Sequence, residues 1–564
     1  MWQLGEAMIF RFFLAGLLAL SLHYAGYEAV AQARPIDVVE VEAELLATPE
    51  GIQVRFALSS SVSEFTFDNS AEGDGVDQAK PLRRDNWRIL DEGFAFDGLS
   101  LKRTDGSVFS SFTLFAKPDR RDYDRVYTGV FRMGEAAYGF YSRHFIGNKG
   151  HFNTRFCVQK DSGCDTAPFT GVNPDDIAGG TFMALGDIPA TRLGGMTLYV
   201  SPLLDQKIAD NMRKALQESS AYFADVFGFP APEKSRVFLS YSPDGEGYRG
   251  SVAEGATMFV QLRGAWASLD GGTLGSIQDF IAHEVVHYWN GGLFNAPDNL
   301  DQPWLAEGAA TYFAAVSIAA KGEFYGRATD WLNGCRKFTR DLPLDGSKGQ
   351  VAGQAPYQCG AFIHWLLDED IRRTTSGKTG VGDVWQAMFT AVDAVGDRKY
   401  SVKMFEETLH KQGHAHSWQT IKPLLVETGE KRWVGLEGTL TKLGYDLATK
   451  SAEDFSSYDL MGPVIFGLLN VECGGGPYSF YFNQNHLRFE NGEGCGDMSG
   501  YFVVRTLDGI DFLSKPAEAF ARMQDACKNG EKMEFGNMEG VTVRTVQCKT
   551  NPPSLPSQFK LVPL

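Results

Sequence analysis

The sequence predicts a multidomain protein in three parts: an N-terminal β-sandwich, a central domain made of an α/β lobe and a helical lobe, and a small β-rich C-terminal domain. Three observations predict it. The chain has 564 residues, more than one hydrophobic core normally serves. Its 43% apolar and 13% aromatic residues are enough to pack several cores. Apolar residues alternate at period two in both flanks and recur at helical spacing in the middle.

Residues 1–33 read as a secretory signal. Arg11 precedes an apolar run over 12–20, and Ala31-Gln32-Ala33 offers a small-x-small cleavage site. That run is too short to span a bilayer comfortably, so cleavage is expected, with membrane association only if the segment stays uncut. Residues 34–202 are the predicted β-sandwich, with alternating runs at 52–58, 94–96 and 111–115 between Gly, Asp and Asn turns.

The central domain is predicted over 203–449. Helical spacing runs from Asp205 to Phe227 and ends at Gly228, and strands follow at 236–241 and 257–262. A helix through 277–290 starts at a capping Ser276 and stops at Gly291-Gly292. Pro303 opens a second helix over 304–320, and further helices are expected at 362–373, 384–392 and 400–411. The C-terminal domain is predicted over 450–564, with strands at 478–482 and 541–546, one helix at 517–527 and an extended tail at 551–556.

The net charge of −17, without a basic stripe, argues against nucleic-acid partners. Eight cysteines fall into neighbouring pairs: Cys157 with Cys164, Cys335 with Cys359, Cys473 with Cys495, Cys527 with Cys548. An even count behind an export signal predicts disulfides and a periplasmic or extracellular destination. A bridge from Cys335 to Cys359 would pin the loop that carries Tyr357.

The chemistry concentrates at His283-Glu284-Val285-Val286-His287, followed by Glu307. Two histidines four apart project from one helix face, about 5–6 Å apart at Cβ, within reach of one metal ion. Zinc takes imidazole nitrogen and carboxylate oxygen, and a catalytic site has three protein ligands and one open position. His283, His287 and Glu307 form that set for one Zn2+ per chain. Glu284 then lies beside the ion, where a base that deprotonates water belongs. The alternative for the motif is an amphipathic core helix whose histidines only form hydrogen bonds. His410, His414 and His416 read as an exposed polar turn.

These residues resemble the gluzincin metallopeptidases, between the aminopeptidase N family and the glycyl aminopeptidase family, whose members often carry a PDZ domain. His287-Tyr288-Trp289-Asn290 resembles the glycyl family, and Trp304-Leu305-Ala306-Glu307-Gly308-Ala309-Ala310-Thr311-Tyr312 resembles the third-ligand helix of both. Tyr357-Gln358-Cys359-Gly360-Ala361 resembles the segment bearing a transition-state tyrosine, with Cys359 in place of a lysine. The resemblance implies a thermolysin-like catalytic domain, a catalytic role for Tyr357 and a PDZ-like C-terminal domain. Aminopeptidases of the first family hold the substrate amine with a glutamate on an edge strand. The comparable strand here reads Gly255-Ala256-Thr257-Met258-Phe259-Val260, apolar at the expected carboxylate position, with Glu254 just before it.

The expected function is a secreted zinc metallopeptidase with Glu284 and Tyr357 as catalytic groups and a peptide or protein as substrate. Aminopeptidase and endopeptidase action both stay open. One alternative is a zinc-bearing binding protein without catalysis; another is hydrolysis of an epoxide or a different amide. Oligomeric state is not legible in the sequence.

Overall fold

The computed structural model describes residues 38–564 other than 69–78, 120–125, 149, 161–162, 170–171, 194, 234, 244–246, 254, 265–270, 296–302, 319–323, 340–341, 346–352, 475–477, 483–485, 492–493, 552–553 and 556–557. The expected signal, its cleavage site and Glu254 lie outside the described residues. The chain divides into two compact units, the first ending at Asp187 and the second running from Ile188 to Leu564 with 132–134.

The first unit is β-rich. Val39–Thr48 and Gly51–Val62 form a hairpin in a six-stranded sheet, and two three-stranded sheets accompany it. Period-two alternation drives the pairing: Val41, Ala43 and Leu45 are buried while Glu42 and Glu44 between them are not. Phe56 packs on Phe65, Phe67 and Phe112 with centroids 4.6–5.8 Å apart. Cys157 and Cys164 are bridged across the hairpin of Phe152–Lys160 with Gly163–Asp165.

The second unit begins earlier than the sequence places it. Ala190–Leu193 and Met196–Val200, expected in the N-terminal domain, belong to a five-stranded sheet with Arg236–Ser242, Thr257–Arg263 and Gly247–Ala253. Backbone pairing sets this boundary, and a short alternating run does not announce its partner. Thr257–Arg263 lies inside that sheet, and Gly247–Ala253 is the edge. The strand first compared with the aminopeptidase edge is therefore an interior one.

Helix Gln206–Phe227 is capped by Asp205, whose carboxylate accepts from Lys207 and Ile208 N–H, and it ends at left-handed Gly228 (φ 73°). The histidine helix, Gly271–His287, starts before Ser276, so Ser276 is not its cap. Nor does it stop at Gly291-Gly292: it runs on as a π-helical turn, Tyr288–Leu293, closed by Phe294 N–H donating to Trp289 O at 2.8 Å. The carboxylate helix, Pro303–Ile318, and a bridge helix, Phe324–Thr339, follow. The tyrosine helix is Ala355–Thr374, so Tyr357 stands in its first turn rather than in a loop ahead of it.

The carboxylate and tyrosine helices cross at two glycines. A Cβ on Gly308 would lie 2.2 Å from Gly360 Cα, and one on Gly360 would lie 2.3 Å from Trp304 O. Only glycine permits that approach. Trp289, Trp304, Trp365 and Trp385 are fully buried in the core around it.

The C-terminal region has its own core, built by sheets of three and four strands and helices Ser457–Glu472 and Pro516–Asn529. The first of these helices was not expected; Ser456 and Asp459 cap it reciprocally. Disulfides Cys473–Cys495 and Cys527–Cys548 staple this region. The expected extended tail leads to a final strand, Phe559–Pro563, which pairs antiparallel with Tyr445–Thr449 and buries Leu561 in the core of the helical lobe. The last strand thus belongs to the central domain, not to the residues just before it.

Candidate metal centre

The histidine helix forms because its apolar residues share one side. Ile277, Ile281, Ala282, Val285 and Val286 are buried, which turns His283, Glu284 and His287 the other way. The carboxylate helix likewise buries Trp304, Leu305, Gly308, Ala309 and Tyr312. Glu307 is then left facing the histidines.

Three donor atoms converge. His283 Nε2 and His287 Nε2 are 3.3 Å apart, and each is 3.3 Å from Glu307 Oε2. Tetrahedral ligands at about 2.0–2.1 Å from a zinc ion are about 3.3 Å from one another. All three edges match one face of that tetrahedron, and two imidazoles with one carboxylate suit zinc chemically. The other close donor group among the described residues is Glu42 with Cys157 and Cys164, whose sulfurs are spent on each other. His410, His414 and His416 join no such group among the described residues.

The far nitrogens of both rings are engaged. His287 Nδ1 is 2.8 Å from Asn290 Oδ1, and Asn290 Nδ2 donates to Ala306 O at 2.9 Å. Since the amide nitrogen already donates, Oδ1 accepts the Nδ1 proton, so Nε2 is the nitrogen turned towards Glu307 and the one whose proton a metal ion would displace. Thr311 Oγ1 donates to Glu307 O at 2.9 Å and lies 3.3 Å from His283 Nδ1. It therefore accepts from His283 in the same way. Tyr400 donates to the Asn290 carbonyl at 2.6 Å.

Electrostatics follow from this crowding. Burial opposes charge on His287, but the Glu307 carboxylate, joined by Glu284 and the bond to Asn290, outweighs it and lifts the imidazole to about 9. Glu307 is held well below the usual carboxylate range because both histidines outweigh its burial. Burial pushes Glu284 upward, with the histidines opposing, and that moves it towards the range in which a carboxylate exchanges protons at neutral pH. Tyr357 stacks on His283 with centroids 5.6 Å apart. Burial and then Glu307 and Glu284 push its phenol well up, so it stays a donor, directed at Glu307.

The structure thus brings together His283, Glu284, His287, Glu307 and Tyr357, all singled out in the sequence. It adds Asn290 and Tyr400. An amide three residues after a histidine was the available signal for Asn290; Tyr400 carried none, because its contact spans 110 positions.

No protein-family model and no curated protein sequence matches the chain. Solved structures do. The chain resembles an aminopeptidase N family protein from Idiomarina loihiensis with a TM-score of 0.55 and 11% identity, covering 93% of this chain and 98% of that one. At that identity the likeness shows a shared fold and no more. An M1 zinc metallopeptidase from Deinococcus radiodurans aligns with a TM-score of 0.40 and 14% identity over 70% of this chain and 94% of its own.

Proposed function

We propose that this chain is an exported zinc metallopeptidase of the gluzincin type, with His283, His287 and Glu307 as ligands of one Zn2+. The observation that carries this reading is the triangle of donor atoms with 3.3 Å sides, flanked by a buried carboxylate that belongs to none of its corners. A zinc ion held there supplies Lewis acidity towards a carbonyl oxygen and acidifies water.

This chain's own residues do the rest. Glu284 accepts a proton from the attacking water as its oxygen bonds to the scissile carbon. The same carboxyl returns that proton to the leaving nitrogen as the C–N bond breaks. Tyr357 donates from its hydroxyl to the developing oxyanion without bringing a charge of its own. Asn290 and Thr311 keep both imidazoles in the tautomer that presents Nε2.

Export is part of the proposal. All eight cysteines are bridged, which suits an oxidising compartment, and no described helix is long and apolar enough to cross a membrane. The PDZ-like reading of the C-terminal domain belongs to it too, and binding of peptide C-termini would test that part. The edge strand Gly247–Ala253 carries no acidic residue, so we extend the proposal to substrates without a free amine. Incubation with a defined peptide mixture, read by mass spectrometry, tests the function. Cleavage that a chelator abolishes and zinc restores supports it, and product termini separate exo- from endopeptidase action. Stoichiometric zinc with no cleavage of any peptide would instead favour a zinc-bearing binding protein.

A further inference from the structure

The first turn of the tyrosine helix is gripped from two sides and has no side-chain cap of its own, since its N-cap, Gln354, makes no capping bond. On one side Gly360, three residues after Tyr357, sits against Gly308 next to Glu307. On the other, Cys359 is bridged to Cys335 of the bridge helix, and a Cβ on Gly334 would meet Gln358 at 2.7 Å.

The bridge helix is in turn tied to the end of the chain. Asn333 Nδ2 donates to Phe559 O at 2.8 Å, and Phe559 N–H donates back to Asn333 Oδ1 at 2.9 Å. Leu561 N–H donates to Thr329 Oγ1 at 3.1 Å. The Arg336 guanidinium lies 4.8 Å from the Phe559 ring and 4.8 Å from the Trp433 ring. Thr329, Asn333 and Arg336 are spaced four and three apart, so one face of the bridge helix receives the strand. A continuous path runs from Phe559 through Asn333 and Cys335 to Cys359, two residues from Tyr357.

We propose that the C-terminal strand Phe559–Pro563 and the Cys335–Cys359 disulfide form one brace that positions the Tyr357 hydroxyl over the donor triangle. Asn333 and the disulfide are then positioning residues for the reaction, acting through Tyr357 and touching no substrate. This rests on the function proposed above. Its physical basis is that a donor misplaced by about 1 Å forfeits much of its effect on the transition state.

The test compares the full-length protein with Asn333→Ala and with Cys335→Ser/Cys359→Ser, each with Tyr357 intact and with Tyr357→Phe. Peptide turnover, zinc content and amide hydrogen exchange are measured. With Tyr357 intact, kcat should fall about tenfold or more. KM should stay within about twofold, and zinc should remain near one per chain. Exchange should quicken over 355–360 but not in the histidine helix. In the Tyr357→Phe background the same changes should cost no further activity, whereas a merely structural role would lower turnover in both. Unchanged kcat, or an equal loss in both backgrounds, overturns the brace. Should the disulfide variant not fold, Asn333→Ala decides alone. Should the parent protein cleave no peptide, the functional reading fails, and exchange at 355–360 still decides: faster supports the brace, unchanged refutes it.

Discussion

Replacing Asn290 with alanine probes the layer behind the donor triangle. The side chain is almost fully buried and makes two bonds, one at 2.8 Å from His287 Nδ1 and one at 2.9 Å to Ala306 O. The first sets the tautomer of His287, and the second ties the π-helical turn to the carboxylate helix. Loss of a partner that orients a metal ligand typically weakens metal affinity by about 10–100-fold, or about 1.4–2.7 kcal/mol. Leaving the two partners unsatisfied should lower the stability of the metal-free protein by a further ~1–3 kcal/mol. Asn290→Asp separates the two effects. It keeps an acceptor for His287 Nδ1 but sets a carboxylate oxygen against the Ala306 carbonyl. Zinc affinity should recover in part while stability stays low. Competition against a chromophoric chelator gives the affinity, and urea unfolding of the chelator-treated protein gives the stability. A zinc Kd within twofold of the parent for Asn290→Ala would refute the assigned role.

Glu284→Gln should keep its zinc and lose nearly all peptide hydrolysis; elemental analysis beside an activity assay checks both, and retained turnover removes Glu284 from the chemistry. Tyr357→Phe should lower kcat by about 10²–10³-fold at unchanged zinc content, as loss of one oxyanion donor does. Gly308→Ala should destabilise the protein by about 1–3 kcal/mol or more in urea, because its Cβ would meet backbone at Gly360 that no side-chain rotation relieves. In the metal-free protein His287 is raised to about 9, so the stability it contributes is complete below the ordinary histidine value near 6.5. That stability should drain away as pH rises from about 6.5 through 9. Zinc requires the neutral imidazole, so its binding should release protons in that window and tighten as pH rises, measurable by pH-stat titration.

Much of the site was readable because its signals are local. His283 and His287 share a helical face, Glu284 flanks them, and a second amphipathic helix follows with Glu307. The cysteine partners proved to be sequence neighbours at all four bridges. Helix Gln206–Phe227 carries both an acidic cap and a glycine stop, and its limits were legible to within a residue. The errors share a cause. Ser276 looked like a cap and Gly291-Gly292 like a stop, yet the helix begins at Gly271 and runs on as a π-helical turn to Leu293, since single capping and stop residues are weak local preferences. Tyr357 was placed before its helix because that helix has no capping side chain to mark its start.

Pattern and spacing were enough to single out the three side chains that converge, to separate β-rich flanks from a helical centre, and to mark the chain as disulfide-bearing. None of these needs more than a few residues' knowledge of one another. Three-dimensional packing alone decided the 3.3 Å triangle, the Gly308–Gly360 crossing, the hold of Tyr400 on Asn290, and the return of Phe559–Pro563 to a strand more than a hundred residues earlier. Those arrangements join residues whose separation along the chain exceeds any period of helix or strand. Only the burial of a shared core can bring them into contact.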